Sequence, residues 1–361
     1  MNRVDIAVVG AGIAGASLAA ELAPHASVTL LEAEAHPGLH ATGRSAAFWS
    51  ETYGGPAIQP LTTASGPPLQ AGGWLAPMGS LHIGRASEAR AIEAFLAEFA
   101  GSGVTLKAVD PATIVPGLRE DWTLGVWEPS CAYIDVAALH ADCLARLRRA
   151  GGTLLTDAEL RAAHRDGGRW RIETAAGDID AAIIVNAAGA WADVIAARAG
   201  VQPIGIQPYR RTMAQLRTDP APPEELPHVA AIDGSFYFKP EAGGRLWLSP
   251  HDEIASDPCD AQPEEIDVAI AIDRFEHCVD WRVAGLERKW AGLRSFAPDR
   301  LPVYGFAAEA PGFFWCAGQG GFGIQTAPAA AMLAAALVLR QSLPDALGQI
   351  DPRLYAPARL A

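Results

Sequence analysis

Residues 4–34, VDIAVVGAGIAGASLAAELAPHASVTLLEAE, constrain the fold more than any other part of the chain. They read as a buried strand over residues 6–9, a turn carrying Gly10, Gly12 and Gly15, a helix of small residues, and a second strand closing at Glu32. The glycines serve three physical ends, which are a tight turn, close backbone approach to a pyrophosphate, and tight packing of helix on strand. The helix start adds free N–H groups and the positive end of a dipole. A carboxylate at Glu32 can accept from both hydroxyls of an adenosine ribose. Three glycines alone would say little. With a strand before, a helix after and an acid at this place, they predict a dinucleotide site.

A chain of 361 residues can bury a large core and divide into two lobes. With 50% hydrophobic and 19% charged residues it is not a disordered polymer. A formal charge of -13 argues against nucleic acid as the main partner, though it leaves room for a local basic pocket. The five cysteines, at 131, 143, 259, 278 and 316, are dispersed with no CxxC pair. That pattern fits a reduced, cytoplasmic protein better than a disulfide framework or a zinc site, and no metal is expected. No signal peptide is evident, because the apolar N-terminus passes straight into the glycine turn. The longest apolar run, residues 327–339, is too short to span a bilayer and reads as a buried C-terminal helix.

A loop rich in Gly, Ser and Thr follows Glu34 and carries Arg44, Phe48, Trp49 and Tyr53. Residues 66–85 show short apolar runs broken by Gly and Pro, the pattern of strands joined by turns. Ile92, Phe95, Leu96 and Phe99 recur at helical spacing and predict an amphipathic helix over residues 88–99. Asp135 is an N-cap for a helix reaching Arg149, with Gly151 and Gly152 just past its end. An apolar strand over residues 181–185 runs into the small residues Ala187, Ala188 and Gly189 before Trp191, again a place for backbone to approach a ligand. Residues 203–290 are strand-like, and residues 312–326 give a strand and a Gly-rich turn before the last helix.

Dinucleotide-type elements thus stand at the start, middle and end of the chain. The expected architecture is α/β: a Rossmann-like cofactor domain from residues 1–75, 135–205 and 291–361. A mainly antiparallel-sheet substrate domain then comes from residues 76–134 and 206–290.

Five motifs in order, VVGAGIAGAS, HATGRSAAFWSETYG, VNAAGAWAD, WAGLRSF and GQGGFGIQT, resemble the D-amino acid oxidase-like family of FAD-dependent oxidoreductases. Within it they are most similar to bacterial FAD-dependent D-arginine dehydrogenases. The resemblance implies a glutathione-reductase-type FAD domain. In it Gly10, Gly12, Ile13, Ala14 and Gly15 meet the pyrophosphate, and Glu32 with Ala33 meets the adenosine ribose. Arg44, Ser45, Ala46 and Ala47 would approach the pyrophosphate and flavin, Leu160 the adenine, and Ala188, Gly189 and Trp191 the side of the cofactor. Gln319, Gly320, Gly321, Gly323, Ile324 and Gln325 would lie by the isoalloxazine edge, near a helix start that can stabilise negative charge. Related sarcosine oxidases attach flavin through a cysteine near the segment matching residues 294–296; none stands there, so non-covalent FAD is expected.

An amino acid substrate needs its carboxylate held, and the planar fork of arginine suits that purpose. Arg294, in an otherwise apolar stretch, and Arg211, adjacent to a second arginine at 210, are the candidates, with Tyr53 and Tyr237 as hydroxyls closing over carboxylate or amine. Gln319 faces substrate or caps its own turn. The resemblance implies transfer of hydride from the substrate Cα to flavin N5, then hydrolysis of the imine to a 2-oxo acid and ammonia. Two departures bear on specificity: Ser80 stands where the arginine-specific enzymes carry a glutamate, and Phe48 where they carry a histidine. A buried guanidinium without a counter-charge is costly, so neutral or apolar D-amino acids are expected over cationic ones.

The expected partners are an amino acid and an electron acceptor, a quinone or another, with no nucleic acid and no transmembrane segment. The alternative is an oxidase of glycine or sarcosine that forms hydrogen peroxide. A binding or regulatory protein without turnover fits less well with Arg211, Arg294 and Tyr237 together.

Overall fold

A computed structural model describes residues 2–360. Its central strand is Asn2–Val9, flanked in parallel by Val28–Leu31 on one side and Ile179–Asn186 on the other, with Thr153–Leu155 outermost. Burial on both faces explains the continuous apolar runs of these strands. Strand Ile179–Asn186 also serves two partners on its far edge. Its first half joins the antiparallel strand Arg169–Thr174, which in turn pairs with Leu160–Asp166, and its last three residues pair in parallel with Phe313–Ala317. The C-terminal part of the chain is thereby sewn into the N-terminal sheet.

Helix Ile13–Leu22 is buried between that sheet and the helices Val136–Arg149 and Ala327–Leu339. Ala16, Ala19 and Ala20 at its contacts, and the alanine-rich last helix, let the axes approach closely. Asp135 accepts from Ala138 N at 2.9 Å to start helix Val136–Arg149. Gly151 N to Arg148 O at 3.0 Å and Gly152 N to Leu147 O at 2.9 Å close it in a Schellman turn. Among the described residues no helix is long and apolar enough to cross a membrane, and the five cysteines are unpaired.

The second layer is a ten-stranded, mainly antiparallel sheet. Its spine is the pair Gln207–Asp219 and Arg282–Phe296, running from Gln207 opposite Phe296 to Asp219 opposite Arg282 with register shifts after Gln215 and after Arg217. One parallel pair, Ser80–Arg85 with His228–Ala231, carries the sheet onward to Trp122–Glu128. Position 291, taken above as a domain boundary, lies inside Arg282–Phe296. That strand leaves the second sheet only after Phe296, where Ser295 and Phe296 pair with Gly320 and Gln319. A three-stranded sheet of Phe48–Trp49, Ala132–Ile134 and Leu75–Pro77 lies between the larger two in the chain order.

The strand pattern read over residues 66–85 holds only from Leu75. Residues Gln59–Ala71 form a helix with Pro67 and Pro68 inside it. Proline there removes intrahelical bonds, but burial outweighs the loss: Leu61 and Leu69 are fully buried against the last helix. Ser65 Oγ, which donates to Leu61 O at 2.8 Å, also accepts from Ala329 N at 3.1 Å. The helix expected over residues 88–99 spans Ala89–Glu98.

Candidate functional site

One cleft of about 480 Å³ runs from the first glycine turn to the face of the second sheet. At the near end Gly10, at φ +99°, makes a turn that a side chain would block, since a Cβ there would lie 2.5 Å from Ala187 O. Gly15 is not on the cleft wall. It sits where a Cβ would be 1.9 Å from Gly10 O, so its role is to seat the helix against the turn. Gly12, Ile13 and Ala14 line the cleft at the start of a helix whose N-cap offers no side chain, although Thr42 Oγ1 accepts from Ile13 N at 2.9 Å. Glu32 is held by Ala11 N and Glu34 N, each at 3.0 Å, and faces the cleft beside Ala33, Ala158 and Leu160.

In the middle stretch Ser45, Ala46 and Ala47 form one wall and Ala188, Gly189 and Trp191 the other. Arg44 lines the cleft, but its guanidinium donates to Ala261 O at 2.8 Å and Ala291 O at 3.1 Å and pairs with Asp260, fastening the loop to the second sheet. Trp191 packs on His40 with ring centres 4.8 Å apart.

Strand register builds the far end. Arg294 stands opposite Tyr209 and Arg211 opposite Gly292, which makes the two arginines diagonal neighbours on one face of the spine pair. Both line the cleft. Strand alternation sends Arg210 the other way, to Glu264 and Asp267. Arg294 Nη2 donates to Tyr53 OH at 2.8 Å, and its Nε is buried with no partner among the described residues. Its guanidinium lies so near Gly321 that a Cβ there would fall 2.1 Å from Nη2. Tyr237 donates to Met213 Sδ at 3.1 Å, and burial pushes its hydroxyl up to about 12, keeping it protonated at neutral pH. Burial, and then the charge of Arg294, pull Arg211 down from its ordinary value.

Gln319, Gly320, Gly321, Gly323, Ile324 and Gln325 line the cleft beside these groups, Gly320 and Gln319 pairing with Ser295 and Phe296. The side chain of Gln325 is engaged inward, donating to Tyr53 O and Thr62 Oγ1 at 2.9 Å each, so it orders the loop carrying Tyr53. Phe48 lines the cleft, its ring 5.0 Å from Tyr53 and 6.1 Å from Tyr237.

Ser80, expected in the substrate pocket, is not on its wall. It is fully buried one layer back, with Oγ 2.9 Å from His228 Nδ1, and the His228 ring lies 4.6 Å from Phe48. Phe48, on the cleft, lies against the His228 ring that Ser80 contacts from behind. Burial holds His228 well below its ordinary value, so no cation stands there either.

A model of the family of FAD dependent oxidoreductases known as DAO matches residues 5–337. The chain belongs to that family. Among relatives, the hydrogen cyanide synthase subunit HcnC of Pseudomonas aeruginosa is 28% identical over 47% of this chain and 39% of its own length. A glycine oxidase of Geobacillus kaustophilus is 28% identical over 53% of this chain and 50% of its own. The chain thus spans half or less of the length of these relatives. In three dimensions it is similar to L-proline dehydrogenase from P. horikoshii, with a TM-score of 0.86, 23% identity, and coverage of 99% and 98% of the two chains.

The cleft of this DAO member fits FAD on its own geometry. The glycine turn leaves backbone exposed where side chains would collide, a helix starts at the cleft with no side-chain cap from Gly12, and Glu32 presents a carboxylate where a ribose would lie. Small residues on both middle walls leave room for a flat ring.

Sequence reading missed Met213, Glu253 and His251. Met213 was within reach, lying two residues after Arg211 on the same face. Glu253 and His251 belong to an irregular segment with no local pattern, though His251 has a positive φ of 55°. Glu253 Oε1 accepts from Arg294 Nη1 at 2.8 Å. The His251 ring packs edge-on to Tyr237, and burial together with Arg211 and Arg294 pulls it down to about 3. His82 lies outside the cleft, 3.6 Å from the fully buried Glu128.

Proposed function

We propose that this protein oxidises the carbon–nitrogen bond of an α-amino monocarboxylate with FAD, and that D-amino acids with neutral or apolar side chains are its substrates. The carrying observation is that Arg211 and Arg294 share one face of the cleft wall, with Tyr53 bonded to one of them, beside residues 319–321. FAD, when bound, would accept the hydride, and with it the two electrons, released at the substrate α-carbon. The arginines anchor a carboxylate at two points, which fixes the α-carbon relative to the cofactor. Tyr237 and Tyr53 offer hydroxyls to the carboxylate or the amine. Phe48, Met213 and Tyr237 make the side-chain wall apolar and hold back water.

An apolar wall offers no counter-charge for a cationic side chain, which supports the preference for neutral substrates. A second reading, oxidation of glycine or sarcosine with release of hydrogen peroxide, is favoured by the narrow spacing of Phe48, Tyr53 and Tyr237 and by similarity to a protein named glycine oxidase. The division of the chain into a discontinuous cofactor domain and a substrate domain, non-covalent attachment of FAD, a cytoplasmic location and a quinone-type acceptor belong to the same proposal.

Anaerobic bleaching of the flavin across D- and L-amino acids, glycine and sarcosine tests it. Rapid bleaching by D-Met, D-Leu or D-Phe supports the first reading. Bleaching by glycine or sarcosine alone, with peroxide formed in air, supports the second, and no bleaching by any amine sinks both.

A further inference from the structure

The carboxylate of Glu253 stands among three guanidiniums. Oε1 accepts from Arg294 Nη1 at 2.8 Å, Arg300 Nη2 at 2.9 Å and Arg211 Nη2 at 3.4 Å, and Oε2 accepts from Arg300 Nη2 at 3.0 Å. Arg300 is itself held over the ring of Phe296, 3.9 Å from its centre, which steadies the carboxylate it grips. The neighbouring Asp252 is engaged with Thr212, accepting from its N at 2.7 Å and its Oγ1 at 2.9 Å, and lies 3.8 Å from Arg211 Nε. His251 and Tyr237 add no charge at neutral pH, and Arg210 pairs on the opposite face with Glu264 and Asp267. Both guanidiniums on the cleft wall, Arg211 and Arg294, are thus already engaged by Glu253, and the buried Nε of Arg294 has no partner among the described residues.

We propose that Glu253 is a specificity-determining residue that sets this site to receive one substrate carboxylate and to reject a second. The inference rests on the carboxylate-binding role given above to Arg211 and Arg294. One incoming carboxylate can take the guanidinium edges that Glu253 leaves free. A dicarboxylic amino acid brings its second negative charge into a pocket whose arginines already serve Glu253, so it meets repulsion in place of a partner. Part-exposure of Glu253 screens this repulsion without abolishing it, because the guanidiniums it grips on the cleft side are mostly buried. Sequence neighbours do not betray the role, since Glu253 reaches Arg294 across 41 residues.

Two inert ligands, acetate and malonate, provide the test. Their binding to the FAD-loaded protein is followed by flavin absorbance and by calorimetry in wild type, E253Q, E253D and R300Q. Wild type is expected to bind acetate more tightly than malonate. E253Q, which keeps size and removes charge, should tighten malonate roughly 10-fold or more relative to acetate, and E253D should restore the wild-type ratio. R300Q removes one of the three positive charges around Glu253 and should weaken acetate about 10-fold, which tests the same cluster should E253Q not fold. An unchanged malonate-to-acetate ratio in E253Q, or unchanged acetate binding in R300Q, overturns the role of Glu253 while leaving the carboxylate site standing. If wild type binds neither ligand, the carboxylate site itself is refuted and the inference falls with it.

Discussion

Arg294 and Tyr53, 241 positions apart in sequence, meet at 2.8 Å, guanidinium to hydroxyl. The contact joins strand Arg282–Phe296 of the ten-stranded sheet to the loop that follows Phe48–Trp49. It also fixes which edge of the guanidinium faces Gly321 and which faces Glu253.

Removing the fork should therefore be costly. Arg294→Gln is expected to lower kcat/KM by roughly 30- to 1000-fold, the loss of a charge-assisted pair in a mostly dry site. Arg294→Lys keeps the charge but loses the fork and should fall between the two. Tyr53→Phe should cost only about 3- to 10-fold, one neutral hydrogen bond. Steady-state kinetics on one substrate orders the three variants, and equal losses in all would speak against direct carboxylate binding by Arg294.

The two glycines of the turn should respond differently to alanine. At Gly15 the new Cβ meets backbone at 1.9 Å, so Gly15→Ala should lower Tm by several degrees and leave the purified protein depleted of flavin. At Gly12 the nearest atom is the movable Thr42 Oγ1 at 3.2 Å, and the loss should be smaller. Melting curves and flavin-to-protein absorbance ratios read both.

Acid should destabilise the protein partly through His251. Its folded value is pulled down to about 3 from an ordinary 6.5, so the unfolded chain binds a proton first. The stabilising contribution is whole above about pH 6.5 and is lost as pH falls toward 3, at up to about 1.4 kcal/mol per pH unit. The buried His228 acts in the same direction. In urea titrations between pH 7 and 4, His251→Gln should show a shallower loss of stability than wild type. A parallel pair of curves would refute the assignment.

Two outcomes concern the cofactor and the side chain of the substrate. Acid precipitation should leave the yellow colour in the supernatant, as non-covalent flavin requires. D-Arg and D-Lys should trail D-Met or D-Leu in kcat/KM by about 10-fold or more, since the wall of Phe48, Met213 and Tyr237 has no carboxylate to receive them.

Much of the cofactor end was legible because its signals are local. Gly10, Gly12, Gly15 and Glu32 lie within one βαβ unit, and Asp135 with Gly151 marks a helix by capping chemistry alone. The substrate end was legible only in part. Arg294 is conspicuous in an apolar stretch, but the facing of Ser80 depends on Phe48 and His228, which come from other strands. Helix Gln59–Ala71 contradicts its own prolines because Leu61 and Leu69 gain a tertiary partner more than 260 residues downstream. Glu253 sits in irregular chain, where neither periodicity nor propensity carries information about contacts.

The pairing of Ser295 and Phe296 with Gly320 and Gln319 has a mechanical consequence. One continuous strand carries Arg294 and is hydrogen-bonded directly to the Gln319–Gly320 turn that lines the cleft beside it. These two parts of the lining cannot swing apart like jaws without breaking a β-ladder. Access for substrate must then come from rearrangement of shorter pieces, such as the Tyr53 loop or the irregular chain around Glu253. Turnover limited by opening would show itself in variants of those loops and not in hinges between lobes.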